Sequence, residues 1–137
     1  MFKLIRKIIL YFFVAHVLYI VALKWVNPPF TFTQLQQMTE QGKFNRDYIS
    51  YQDMGRNIKL AVIGSEDQKF PVHNGFDLDG IQNAMEKNLE GKKLRGGSTI
   101  SQQVAKNVFL WQGRSWLRKG LEVYFTFVIE KVWGKQR

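Results

Sequence analysis

At 137 residues the chain is long enough for one modest domain with a real core, and with no cysteine it excludes disulfides, thiolate catalysis and thiolate metal sites together. The formal net charge is +9 and unevenly spread: residues 86–137 hold eleven Lys or Arg against four acids, while residues 25–85 hold five against seven. A basic half suits polyanionic partners such as nucleic acid, anionic lipid or a phosphorylated substrate, and charge alone does not choose among them.

The N-terminus narrows that choice. "MFKLIRK" runs into "IILYFFVAHVLYIVAL", Ile8 to Leu23, which carries no formal charge. As a helix it is about 24 Å of apolar rod, slightly short of a hydrocarbon layer of about 30 Å. Lys7 and Lys24 can snorkel to the two surfaces, and Trp25 stands where an interfacial aromatic belongs. No small-x-small cleavage site follows in "VALKWVNPP", so an uncleaved anchor is predicted in preference to a signal peptide. Lys3, Arg6 and Lys7 before the span, against Lys24 after it, place the N-terminus in the cytoplasm and the rest of the chain outside. His16, mid-span, reads as a neutral histidine at a helix–helix or lipid-facing position. Outside the membrane a basic region meets headgroups and lipid-linked phosphates before DNA, and the sequence shows no zinc-finger or RNA-binding signature.

The exported part reads as mainly α. "NPPF", Asn27 to Phe30, breaks the anchor helix. "TFTQLQQMTEQGK" predicts a short helix capped by Thr31 or Thr33 and closed near Gly42. "MGRNIKLAVIGSED" has Ile58, Ala61 and Val62 on one face and Leu60 and Ile63 on another, which predicts a buried helix. "DLDGIQNAMEKNLEGKK" predicts a helix capped by Asp77 or Asp79, with Ile81, Ala84, Met85 and Leu89 as its core stripe and Gly91 as its stop. "LRGGSTISQQVAKNVFL" is a Gly-Gly turn feeding a helix, with Thr99-x-x-Gln102 as a capping box. "GRSWLRKGLEVYFTFVIEKVW" is a long helix with Ser115 as N-cap and no stop signal in sight. The expected organisation is an anchor over 1–26, a linker and first helix over 27–54, and a domain over 55–137.

Three stretches carry chemistry. In "EDQKFPVHNGFD" a carboxylate at the end of a buried helix is partly desolvated, which suits a general base. His73, among turn residues, is expected to hold the loop rather than carry protons, and Asp67 reads equally as cap, ligand or positioning group. In "GGSTISQQVAKN" two glycines before a helix start let backbone N–H groups approach an anion, with Ser98, Gln102, Gln103 and Lys106 as further donors. An ordinary loop and capped helix explains that stretch equally well. In "RSWLRKGLE" Arg118, Lys119 and Glu122 share one helix face, and the spacing alone reads as a surface ion pair.

Together, "EDxxFxxHxGFD", "GGSTIxQQxxKN" and "RKxxE", in that order, closely resemble the peptidoglycan glycosyltransferase family over about residues 55–137, and the anchor resembles its monofunctional biosynthetic members. The resemblance implies a lysozyme-like α-helical domain that polymerises lipid II into β-1,4-linked glycan and releases undecaprenyl pyrophosphate, with Glu66 as the base and Glu122 as the second carboxylate. It further implies that Asp67, Ser98, Gln102, Gln103, Lys106, Arg114, Arg118 and Lys119 surround the donor sugars and pyrophosphate. A divalent cation, Mg or Mn, is implied near Glu122 through the pyrophosphate, and no organic cofactor. Implied partners are lipid II, the nascent glycan strand, membrane lipid and other wall-synthesis proteins, at a bacterial inner membrane and without nucleic acid. Members continue past "IEKVWGKQR" into a helix ending in Tyr-Leu-Asn, so the chain reads as an N-terminal fragment whose own activity is in doubt. The rivals are a lysozyme-like glycan hydrolase or lytic transglycosylase, which has no use for a pyrophosphate site, and a non-catalytic anchored scaffold, which would tolerate loss of both glutamates.

Overall fold

The apolar N-terminus forms one helix, α1, over Phe2–Ala22, in a computed structural model that describes residues 2–42, 44, 46–91 and 96–137. Leu94 and Arg95 of the Gly-Gly turn lie outside the described residues. Helices α2 (Phe32–Gln41), α3 (Arg56–Glu66), α4 (Leu78–Leu89), α5 (Ile100–Phe109) and α6 (Trp116–Val132) follow, and all regular structure among the described residues is helical. The expected mainly α class holds.

The caps explain most of the boundaries. Thr31, not Thr33, starts α2 with a full capping box, and Gly42 ends it in the left-handed region. Asp77, not Asp79, caps α4 by accepting from the Gly80 N–H at 3.0 Å. Thr99 and Gln102 form the capping box of α5, and Ser115 caps α6. Two expectations needed correction at helix ends. Helix α1 stops at Ala22, ahead of Pro28, and side chains take up carbonyls at and beyond its end: Trp133 Nε1 donates to that of Ile20 and Arg137 to those of Leu23 and Val26. Helix α6 does carry a stop: Trp133 is its C-cap and Gly134 follows at φ +73°.

The core lies where α5 and α6 pack on each other and on the end of α1. Ile20, Ala105 and Ile129 are its buried centre, and Phe109 stacks on Phe125 with ring centroids 4.6 Å apart. His16 occupies the expected helix–helix position, stacked on Tyr124 and edge-on to Phe125. Helix α2 is fastened to the body, since Thr33 donates to the Asn107 carbonyl and accepts from Gln112 Nε2.

The predicted burial of α3 is wrong. Ile58, Leu60 and Val62 are exposed, because among the described residues no helix packs along α3, whose C-terminal end enters the body. Of the α4 stripe only Ala84 is buried, while Met85 and Leu89 face outward.

Candidate active site

Helix α3 ends at Glu66, and Asp67 leaves it with φ −160° and ψ 80°. That turn sends two adjacent carboxylates into different environments. Glu66 is exposed, so the half-buried base expected from the sequence is corrected. Its Oε2 accepts from Gln103 Nε2 at 2.8 Å, and its Oε1 has no hydrogen-bond partner among the described residues. Among the described residues, therefore, one oxygen is held and the other is not.

Asp67 is the buried one. Its Oδ2 accepts the N–H of Ile100, the first residue of α5, at 3.0 Å, and both oxygens lie 2.9 Å from His73 Nε2. The start of α5, which reads equally as an anion cradle or an ordinary capped helix, holds the Asp67 carboxylate. Asp67 in turn clamps α3, α5 and the intervening loop together. Gln102 is likewise turned inward, spending its Oε1 on the Thr99 N–H. Gly97 is small for packing, since a Cβ there would stand 3.0 Å from the Ile81 Cα of α4. His73 has the loop-holding role expected, accepting from the Gly75 N–H at 3.1 Å.

The third motif is buried more deeply than a surface pair. Glu122 is 3% exposed, accepts from Arg118 Nη1 at 2.6 Å, and pairs with Lys119 Nζ. Two cations meet one carboxylate, and among the described residues Arg118 Nε, itself buried, has no hydrogen-bond partner. The cluster therefore keeps a net positive charge that suits an anion. Arg114, exposed, adds to it.

Three cavities join these groups. One of about 320 Å³ is lined by Glu66, Asp67, Lys69 and Ser98. The next, about 220 Å³, shares Gly97 and Ser98 with it and reaches Gln102 and Lys119. The last, about 290 Å³, shares Lys119 and is lined by Arg114, Arg118 and Trp116. Linked through these shared lining residues, the three form a trough from the Glu66 carboxylate to the cation cluster. Lys106, in the last turn of α5, lines none of the three. At the trough's rim Lys69 donates to Asp79 at 2.6 Å, which holds the lysine above its ordinary value and the carboxyl below its own.

Comparison with known proteins places this trough in a family. The family model described as Transglycosylase matches residues 33–137. The chain belongs to the transglycosylase family. The match begins at α2, ahead of the three motifs. The chain is 46% identical over 143 residues to the biosynthetic peptidoglycan transglycosylase of Pseudomonas aeruginosa, covering 100% of this chain and 62% of that relative. The protein of the same name from Stutzerimonas stutzeri is 45% identical over 139 residues, 97% of this chain and 57% of the relative. That from Pseudomonas fluorescens is 46% identical over 143 residues, 100% and 60%. The chain thus spans about three fifths of the length of these transglycosylases. Membership carries the lysozyme-like helical class anticipated from the motifs.

The donor set does not fit a protein-held divalent ion at Glu122. Its oxygens are committed to Arg118 and Lys119, and no group of three or more His, Asp or Glu side chains among the described residues could hold a metal. The sequence reading overlooked Glu130, whose carboxylate pairs with Lys135 and accepts from Ser101. The four-residue spacing of Glu122, Thr126 and Glu130 was the signal, because it puts all three on one face.

Proposed function

We propose that the chain carries the reacting groups of a membrane-anchored peptidoglycan glycosyltransferase that extends glycan from lipid II. The observation that carries this reading is the trough, with the Glu66 carboxylate, held at one oxygen, at one end and a cation cluster of net positive charge at the other. In the reaction the acceptor's 4-hydroxyl gives its proton to Glu66 while its oxygen bonds to the donor's anomeric carbon. The bond from that carbon to the pyrophosphate oxygen breaks, and the electron pair departs with undecaprenyl pyrophosphate. Arg114, Arg118 and Lys119 absorb that developing charge. Ser98 and Gln103 line the path between, Gln103 by orienting Glu66, and Glu122 keeps the two cations in place. Lys106 belongs to the basic surroundings rather than the trough. A divalent ion, Mg or Mn, enters only as the counter-ion brought on the pyrophosphate, and no step passes through it.

Helix α1 is the one helix among the described residues long and apolar enough to cross a membrane. In this reading it anchors the chain in a bacterial inner membrane, N-terminus inside, with the trough facing the lipid-linked substrate outside. A glycan hydrolase would leave the cation cluster without a task.

The test is polymerisation of labelled lipid II in detergent by the parent chain and by Glu66→Gln, which keeps the shape and removes proton acceptance. Loss of a general base costs about 10²–10⁴ in rate. A Glu66→Gln rate within about tenfold of an active parent would exclude Glu66 as the base.

A further inference from the structure

We infer that Glu130 is a positioning residue which, through Ser101 and Lys135, locks the start of α5 and the turn after α3 onto α6 and so sets the Gln103–Glu66 contact. The inference rests on the reading of Glu66 as the base. It concerns a carboxylate that has no part in the proton or charge transfers described above.

Glu122, Thr126 and Glu130 form an inward stripe on α6, and a rise of 1.5 Å per residue puts Glu130 about 12 Å from Glu122 along the axis. Thr126 is fully buried, and its hydroxyl donates to the Glu122 carbonyl at 2.7 Å. The Glu130 side chain is 11% exposed, accepts from the Ser101 hydroxyl, and pairs with Lys135 Nζ at 2.6 Å. Lys135 also lies 4.4 Å over the Phe70 ring, with Nζ 3.5 Å from His73 Nδ1. That nitrogen accepts from the Gly75 N–H, which puts the ring proton on Nε2, where it faces Asp67. Asp67 takes the N–H of Ile100, the neighbour of Ser101.

The contacts close a ring: Glu130, Ser101, Ile100, Asp67, His73, Lys135 and back to Glu130. Every member is paired, and a buried polar network holds its geometry best when it is complete. The ring grips both sides of the reacting carboxylate. Asp67 adjoins Glu66, and Ser101 lies two residues before Gln103, whose amide holds Glu66 Oε2. Backbone packing enforces the same register. A Cβ at Gly75 would stand 2.7 Å from Glu130 Cγ and 2.9 Å from Thr126 Cγ2, so the turn rests directly on this stripe.

The experiment uses the full chain in detergent micelles, with two readouts. The first is the NMR signals of the Gln103 side-chain amide and the His73 ring nitrogens, which need no turnover. The second is kcat and KM for lipid II. Glu130→Gln, isosteric and neutral, should shift both sets of signals and lower kcat about 10- to 100-fold, as a misplaced reacting group does. KM should stay within about twofold, because substrate contacts are kept. Lys135→Arg, which retains the cation, should recover most of the kcat lost in Lys135→Ala. Unmoved Gln103 and His73 signals in Glu130→Gln overturn the proposal, as does an unchanged kcat beside shifted signals. If Glu130→Gln fails to fold, Ser101→Ala deletes only one hydroxyl and carries the same expectation, and unmoved Gln103 signals there overturn it. If the parent itself turns over no lipid II, the functional reading fails separately, and the signals alone decide whether Glu130 positions Gln103.

Discussion

The contrast between Glu66 and Asp67 arises from one backbone step. Glu66 is the last helical residue of α3 and keeps the outward direction of its neighbours, whereas Asp67 leaves the helix and turns its carboxylate onto α5. Among the described residues Asp67 has three hydrogen-bond contacts and is held as a strut, whereas Glu66 has one and keeps an oxygen that can take a proton. The cations follow the same logic. Glu122 neutralises half of the charge of Arg118 and Lys119, and among the described residues Arg118 Nε has no partner. A charge-assisted hydrogen bond contributes about 1.5–3 kcal/mol, and each 1.4 kcal/mol is about tenfold in affinity. Arg118→Ala and Lys119→Ala should therefore each weaken inorganic pyrophosphate binding by about 10- to 100-fold in calorimetry. Binding of a soluble glycan fragment should be unchanged, and equal losses for both ligands would assign these residues to folding. At Gly75 the expectation concerns stability. The residue sits at φ +86° with no room for a methyl group, so Gly75→Ala adds a left-handed penalty of about 1–2 kcal/mol to an overpacking cost of about 1–3 kcal/mol. The melting transition in mild detergent should fall clearly below that of the parent. An unchanged transition would show that the turn does not rest on α6.

Among the elements, α5 depends most on its first turn. Thr99 is 2% exposed and makes three bonds to two residues: its hydroxyl accepts the Gln102 N–H, its own N–H donates to Gln102 Oε1, and its hydroxyl donates to the Gly75 carbonyl at 2.7 Å. Asp67 adds its negative charge to the same end, favourable against the helix dipole. Because α5 carries Gln103 and packs on α6, a frayed first turn would reach both the Glu66 contact and the core. Thr99→Ala loses a cap that contributes about 0.5–2 kcal/mol and leaves a buried carbonyl unpaired at about 1–3 kcal/mol. Thr99→Ser, which keeps the hydroxyl, should recover most of that loss in chemical denaturation. Similar losses in both variants would shift the explanation to the methyl group.

For the whole molecule the organising feature is α1. It runs in the same direction as α6, joined to it at His16 and Ile20, and the two enclose with α5 an apolar groove of about 720 Å³ whose lining includes Phe12, Phe109 and Leu121. Its other residues before Ile20 are largely exposed and apolar, the surface expected of a helix that meets lipid rather than water. With Lys3, Arg6 and Lys7 on one side, the chain should insert with its N-terminus inside. A reporter active only outside the cytoplasm, fused after Arg137, should then be active. Activity of a cytoplasm-only reporter at that position would reverse the topology.

The sequence by itself determined the helices and the family. Caps such as Thr99-x-x-Gln102 and Ser115 are local, since a side chain three residues away satisfies the same free N–H wherever the helix lies. The apolar run of α1 is equally local, because length and composition alone decide whether a segment suits hydrocarbon. Tertiary structure decided burial and pairing. Apolar faces on α3 announced a buried helix, yet which faces are covered depends on where α5 and α6 lie, and Ile58 and Leu60 stayed outside. The reverse held at Glu122, which reads as a surface ion pair and lies in the interior. The ring from Glu130 to Asp67 includes a contact between residues 62 positions apart, Lys135 and His73, which follows no short spacing. Periodicity reports what a residue can touch on its own helix, whereas a buried charge is defined by the partners that other segments bring to it.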